Sequence, residues 1–150
     1  MKILIATDGS EYSRRALDEC CRLFGSAGNP EIRIIAVYEN IYPMMGEPLA
    51  LSGEFYQKFE EEARAQAERF VAEAAQAARE KLEGGEITTA VLCGVPEREI
   101  IEEAKRFQPD LIAVGSHGRG FWGRLTLGSV SDAVVHHAPC SVFVSRSKKD

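Results

Sequence analysis

Short runs of β-forming apolar residues alternate with stretches of helical periodicity along this chain, and that alternation restricts it to few architectures. Lys2-Ile-Leu-Ile-Ala-Thr7 and Glu31-Ile-Arg-Ile-Ile-Ala-Val-Tyr38 are nearly continuous in apolar character, as strands covered on both faces are. Glu86 to Leu92 alternates weakly, Leu111 to Val114 is apolar throughout, and Ser141-Val-Phe-Val-Ser145 closes the set. Between them lie four helical segments. Ser10 caps the first, which runs to about Phe24 and stops at Gly25. The second spans roughly Gly53 to Leu82, with Phe55, Phe59, Ala63, Ala67, Phe70, Ala74, Ala78 and Leu82 as its apolar stripe. That stripe drifts too far for a heptad coiled coil, so it reads as a helix covering a sheet, with a helix that meets a partner as the alternative. Pro96 opens the third, with Glu97 and Glu99 in its first turn and its end near Phe107. The fourth opens at Ser129, with Asp132 in capping-box spacing, and ends before Pro139.

Strands separated by helices imply a parallel sheet with right-handed crossovers. The expectation is a single α/β unit over residues 1–150: an open, Rossmann-like, five-stranded parallel sheet in the order 3-2-1-4-5 with helices on both faces. In that order the first and fourth strands are neighbours where strand order reverses. The loops that follow them flank one crevice, the usual place for a ligand in such sheets. Glu39 to Leu51, carrying Pro43, Gly46 and Pro48, reads as a loop, with Met44 and Met45 placed to extend over a ligand or a partner. Arg146 to Asp150 reads as a frayed tail.

With 150 residues, 45% of them apolar, the chain can bury one core without disulfides. Its net charge of −5 argues against nucleic acid or an anionic membrane as a partner. Cys20, Cys21, Cys93 and Cys140 contain no Cys-x-x-Cys pair, so they read as small buried or half-buried residues rather than zinc ligands. Reduced thiols suit the cytoplasm. Asp8 interrupts the first apolar run too early for a signal peptide, and no run is long enough to span a membrane. His136 and His137, in the last turn of a helix, read as dipole-favoured surface residues.

Chemistry concentrates in Gly115-Ser-His-Gly-Arg-Gly-Phe-Trp-Gly-Arg-Leu-Thr-Leu-Gly-Ser129, a glycine-rich loop between a strand and a helix start. Backbone N–H groups at such a place attract phosphate. Two patterns inside it mislead. Gly118-Arg-Gly120-Phe-Trp-Gly123 matches the dinucleotide fingerprint, but follows the fourth strand and not the first. The same stretch approaches a P-loop, but lacks the lysine and the Ser/Thr after it. The better spacing is Gly115-x-x-Gly118, nine residues, then Gly128-Ser129.

On that spacing the chain resembles the ATP-binding branch of the universal stress protein family. The likeness includes Thr7-Asp8-Gly9-Ser10, Gly94-Val95-Pro96 and Pro139-Cys-Ser-Val-Phe-Val144, and covers nearly the whole chain. It implies a site for ATP, ADP or AMP built from Thr7, Asp8, Val37, Gly115, Ser116, His117, Gly118, Arg119, Gly128, Ser129 and Val130. Asp8 would meet the ribose or lie near adenine, and Val37 would offer backbone groups to the adenine edge. Gly115 and Gly118 would let the chain pass close to ribose and phosphates. Gly128 and Ser129 would hold the phosphates, with Arg119 and Arg124 as extra cations. A Mg²⁺ or Mn²⁺ ion would accompany the phosphates.

Each residue also has a plainer reading. Asp8 can cap a turn, Ser129 can be only an N-cap, and His117 can be an exposed loop residue. Phe121 and Trp122 can pack beneath the loop, cover a ligand or meet a partner. The expected function is a nucleotide-binding regulatory protein of the stress response, signalling through a protein partner not identified by sequence. The alternatives are a slow ATPase or an adenylyl- or phosphoryl-transferring enzyme, and an interaction protein that binds no nucleotide. No catalytic constellation emerges from spacing; Asp8 and His117 are the titratable groups near the loop. An apolar last strand at a sheet edge invites pairing with a second copy, and the resemblance implies the same homodimer.

Overall fold

A computed structural model describes residues 1–25, 28–39, 53–118 and 127–146. Five strands form one sheet: β1 (Lys2–Ala6), β2 (Glu31–Tyr38), β3 (Glu86–Cys93), β4 (Leu111–Gly115) and β5 (Ser141–Ser145). Their spatial order is β3-β2-β1-β4-β5, and all neighbours are parallel, as the alternation of elements requires. Four helices connect them: α1 (Glu11–Phe24), α2 (Gly53–Lys81), α3 (Pro96–Phe107) and α4 (Ser129–His137).

Both faces of the sheet are buried, which is why the central strands lack an apolar–polar alternation. Ile3 and Ile5 of β1 join Ile32 and Ile34 of β2 beneath α1 and α2, with Leu17, Cys20, Val71 and Ala75. Leu4 and Ile35 point the other way, onto Ile100 and Ala104 of α3 and Val134 of α4, with Ile112 of β4. Full burial of such a side chain stabilises by about 1.5–3 kcal/mol.

Local signals act where expected, with one exception in physical cause. Ser10 caps α1, its Oγ accepting the Ser13 N–H at 3.2 Å. Gly25 ends α1 but in right-handed conformation, so no left-handed turn requires glycine there. The requirement is space, since a Cβ would collide with Leu82. Gly9 does need its freedom: φ is +73°, and a Cβ would run into the Phe70 ring.

The stripe on α2 is only partly a sheet-facing stripe. Ala67, Val71, Ala75 and Ala78 are its buried residues, whereas Phe55 and Phe59 are 46% and 42% exposed. A helix of 29 residues is about 44 Å long, and a strand of eight spans only about 27 Å. The first half of α2 therefore projects past the sheet. Cys93 is exposed rather than half-buried, because it ends an edge strand; Cys20 and Cys21 are buried. The segment 40–52 with Met44 and Met45, the residues 119–126 with Phe121, Trp122 and Arg124, and the tail beyond Arg146 lie outside the described residues.

Candidate functional site

At the carboxyl ends of β1 and β4 the chain leaves the sheet in opposite directions, and a crevice opens between them. Its volume is about 420 Å³. One wall is apolar: Ala6, Ile35, Val37, Ile100, Val114 and Val130. The other is polar: Thr7, Asp8, Ser13, His117, Ser129 and Ser131, together with Gly115, Gly118 and Gly128. A cavity of this size with one apolar wall and a few convergent polar groups suits a small organic ligand with a polar end.

Two loops supply the polar wall. After β1, Thr7 is pinned by its N–H to the Ile35 carbonyl at 2.9 Å, and its hydroxyl lies 3.2 Å from Ser13 Oγ. Asp8 Oδ1 accepts the Ser10 N–H at 3.0 Å, so the carboxylate does stabilise a turn. Asp8 also lines the crevice, and its Oδ2 lies 3.0 Å from where a Cβ on Gly118 would stand. The turn-capping and site readings of Asp8 are therefore compatible. After β4, the Ser116 N–H bonds the Ser145 carbonyl at 2.8 Å, and the Ser116 carbonyl accepts both the Gly128 N–H (2.8 Å) and the Ser131 hydroxyl (2.9 Å). These bonds return the chain to its starting point and set the N-terminus of α4 at the rim.

The N-cap of α4 is Gly128, with ψ 157°, and it makes no side-chain cap bond. Ser129 is thus the first helical residue and does not act as the N-cap, which corrects the sequence reading by one position. The reason is the Gly128–Ser116 bond, which fixes Gly128 in extended conformation at the point of entry. The first-turn N–H groups have no partner within the helix, and Ser129, Val130 and Ser131 line the crevice.

Nine of the eleven residues proposed for the site line this one cavity: Thr7, Asp8, Val37, Gly115, His117, Gly118, Gly128, Ser129 and Val130. Ser116 does not line it; at 1% exposure it sits behind the loop, its hydroxyl 3.1 Å from His117 Nδ1. Arg119 lies outside the described residues. His117 is half-buried, its ring 5.3 Å from that of Tyr12. Sequence reasoning missed Ala6, Ser13, Ile35, Pro96, Ile100, Val114 and Ser131. Ile35 was within reach, because a residue two before Val37 shares its face in a strand. Ser13 and Ser131 carried no signal, since each looks like an ordinary helix residue until the loops converge. Among the described residues, no cluster of three His, Cys, Asp or Glu side chains could hold a metal ion, and Asp8 is the sole carboxylate lining the crevice.

The fold and site define an open α/β protein with a crevice at its topological switch point and a helix N-terminus at one end of it. Comparison with known proteins gives the family. Residues 1–146 match the universal stress protein family, and the chain belongs to it. It is 32% identical over 149 residues to a universal stress protein of Methanocaldococcus jannaschii, covering 99% of this chain and 83% of that one. To one of Thermus aquaticus it is 34% identical over 145 residues, covering 96% and 97%. Among solved structures, universal stress protein UspA from Lactobacillus plantarum superposes with a TM-score of 0.82 at 22% identity, covering 97% of each chain. A family member from Arabidopsis thaliana, solved with AMP bound, gives 0.69 at 22% identity over 99% and 92%. A universal stress protein in complex with cAMP gives 0.63 at 18% identity over 99% and 98%.

Proposed function

We propose that this protein is an adenine-nucleotide-binding regulatory module of the stress response, with ATP, ADP or AMP held in the crevice between β1 and β4. The observation that carries the reading is the convergence on one cavity of Asp8, from the loop after β1, with Gly115, Gly118, Gly128 and Ser129, from the distant segment after β4. Family members solved with AMP and with cAMP support it. The apolar wall of Ile35, Val37, Ile100 and Val114 suits a purine, with the Val37 backbone at its edge. Asp8 would accept hydrogen bonds from ribose hydroxyls through Oδ2. Phosphates would run past Gly118 toward the N–H groups and the hydroxyl of Gly128 and Ser129 at the positive end of α4. With one carboxylate in the crevice, a Mg²⁺ or Mn²⁺ ion would be held mainly by the phosphates themselves.

The module is proposed to act by occupancy and not by turnover. Efficient transfer needs a positioned base and charge stabilisation, and the described crevice offers Asp8, already engaged with Ser10, and His117, whose Nδ1 lies 3.1 Å from the Ser116 hydroxyl. It is further proposed to work as a cytoplasmic homodimer paired through β5. That strand is a sheet edge, with Val142, Phe143 and Val144 half-buried, and unpaired edges recruit partners. No described helix is long and apolar enough to cross a membrane.

The direct test is to purify the protein without added nucleotide, denature it, and identify released small molecules by mass spectrometry, followed by calorimetric titration with ATP and Mg²⁺. A stoichiometry near one per chain is expected. Absence of binding at millimolar nucleotide would reject the reading, and steady phosphate release lost on changing Asp8 or His117 would replace it with an enzyme.

A further inference from the structure

A second cavity, of about 460 Å³, lies on the α3 side of the sheet, lined by Lys2, Arg33, Leu92, Glu103, Arg106 and Phe107. Its charged members come from the first residues of β1 and β2 and the last turns of α3, toward the end of the sheet opposite the crevice. We propose that this cavity is a binding site for a phosphate-like oxyanion, either free or as the phosphoryl group of a small metabolite.

The charge pattern is the first argument. Arg33 interrupts the apolar run of β2 on the face that carries Ile35 and Val37. Its Nε lies 2.7 Å from Oε1 of Glu103, whose side chain is 5% exposed. Arg106 Nη2 reaches the other oxygen, Oε2, at 3.0 Å. One guanidinium would neutralise one buried carboxylate; two are present. Lys2 adds a third cation, its Nζ 4.9 Å from the centre of the Phe107 ring, and Arg33 Cζ lies 5.6 Å from the same ring. Glu31 engages Lys2 at 3.3 Å, on an exposed pair that solvent screens. Of the charged residues lining the cavity three are cationic and one anionic, in a protein whose net charge is −5; Glu31 beside Lys2, and Asp110, whose Oδ2 accepts the Lys2 N–H at 2.7 Å, offset part of that excess.

Hydrogen-bonding capacity is the second. Arg33 Nε is buried and ion-paired with Glu103 Oε1, yet it makes no well-aligned hydrogen bond among the described residues. A buried donor poorly aligned on its partner keeps bonding capacity for a ligand oxygen. Guanidinium groups from two elements, with an ammonium beside them, match an oxyanion with several charged oxygens better than a planar carboxylate, which one guanidinium fork satisfies.

The test follows the arginine Nε–Hε resonances of the full-length protein by NMR during titration with inorganic phosphate. The nucleotide crevice is first saturated if the experiment above finds binding there. Saturable shifts of the Arg33 and Arg106 resonances are expected, with a midpoint at least tenfold weaker in Arg106→Gln. Arg106 is the safer variant because its side chain is 61% exposed; Arg33→Met, checked for fold by its amide spectrum, should abolish the effect. Linear drift to 50 mM, shifts confined to Gly128 and Ser129, or an equal midpoint for acetate would each overturn the proposal. An empty crevice with a saturable Arg33 response would reject the nucleotide reading and leave this one standing.

Discussion

Gly115 and Gly118 belong to one motif, yet the structure requires them for different reasons, and replacing each by alanine separates those reasons. A Cβ on Gly115 would stand 2.7 Å from the Tyr12 carbonyl carbon, 2.9 Å from the Ser13 nitrogen and 2.9 Å from Tyr12 Cβ. Ordinary contact starts near 3.4 Å, and two of these neighbours are backbone of α1's first turn. That turn is tied by the Ser10 cap and the Thr7–Ser13 contact, so it cannot swing away alone. Overpacking of this kind costs about 1–3 kcal/mol. With a urea dependence of about 2 kcal/mol per molar, the unfolding midpoint of Gly115→Ala should fall by about 0.5–1.5 M. At Gly118 the new Cβ meets, among the described residues, only Asp8 Oδ2, at 3.0 Å, from an exposed position. Its midpoint should stay within about 0.3 M of wild type, because exposed changes without a packing cost sit within about 0.5 kcal/mol. Nucleotide affinity should respond in the opposite sense, Gly118→Ala displacing the Asp8 carboxylate that the ligand is proposed to meet. Paired urea melts and ATP titrations measure both. A Gly115→Ala protein as stable as wild type would refute the steric argument. A Gly118→Ala protein with unchanged affinity would refute the placement of ligand beside Asp8.

Further expectations follow from other parts of the molecule. Asp8→Asn should weaken nucleotide binding about 10- to 100-fold in calorimetry, the value of a charge-assisted hydrogen bond, with little change in the melt. Ser10→Ala removes the cap of α1 and should cost about 1 kcal/mol in urea unfolding, whether or not nucleotide is present. The double change Arg33→Met with Arg106→Met strips the buried Glu103 carboxylate of both partners and should cost about 3–5 kcal/mol at neutral pH, recovered in part by Glu103→Gln. Burial, and then the neighbouring Cys21, push the Cys20 thiol up to about 12. A raised folded value means the folded protein holds the proton more tightly. The contribution is intact below pH 9, where both states are protonated, and is lost as pH rises from 9 toward 12. Urea midpoints between pH 8 and 11 should therefore fall less steeply in Cys20→Ala.

Periodicity was enough to read the element order and the parallel sheet, because strand and helix leave different spacings; the 3-2-1-4-5 arrangement came from placing the first and fourth strands, each followed by a polar, glycine-containing loop, side by side. Gly115 was readable because the backbone of α1's first turn stands within contact distance of its Cβ position, an exclusion written in residue type, whereas Gly118 faces the Asp8 carboxylate and Gly128 has contacts of 3.4 Å. Other features had no local signature. Ser13 and Ser131 enter the crevice only because Thr7 and Ser116 are brought against them by the convergence of β1 and β4. The N-cap moved from Ser129 to Gly128 through a bond to Ser116, twelve residues earlier. Phe55 and Phe59 continue the apolar stripe of α2 yet stay exposed, since the sheet ends before the helix does. The pairing of Arg33 with Glu103 joins residues seventy positions apart. Local chemistry decides which element a segment becomes and where it turns; which side chains then share a cavity depends on distances between elements, and those exist only once the chain has packed.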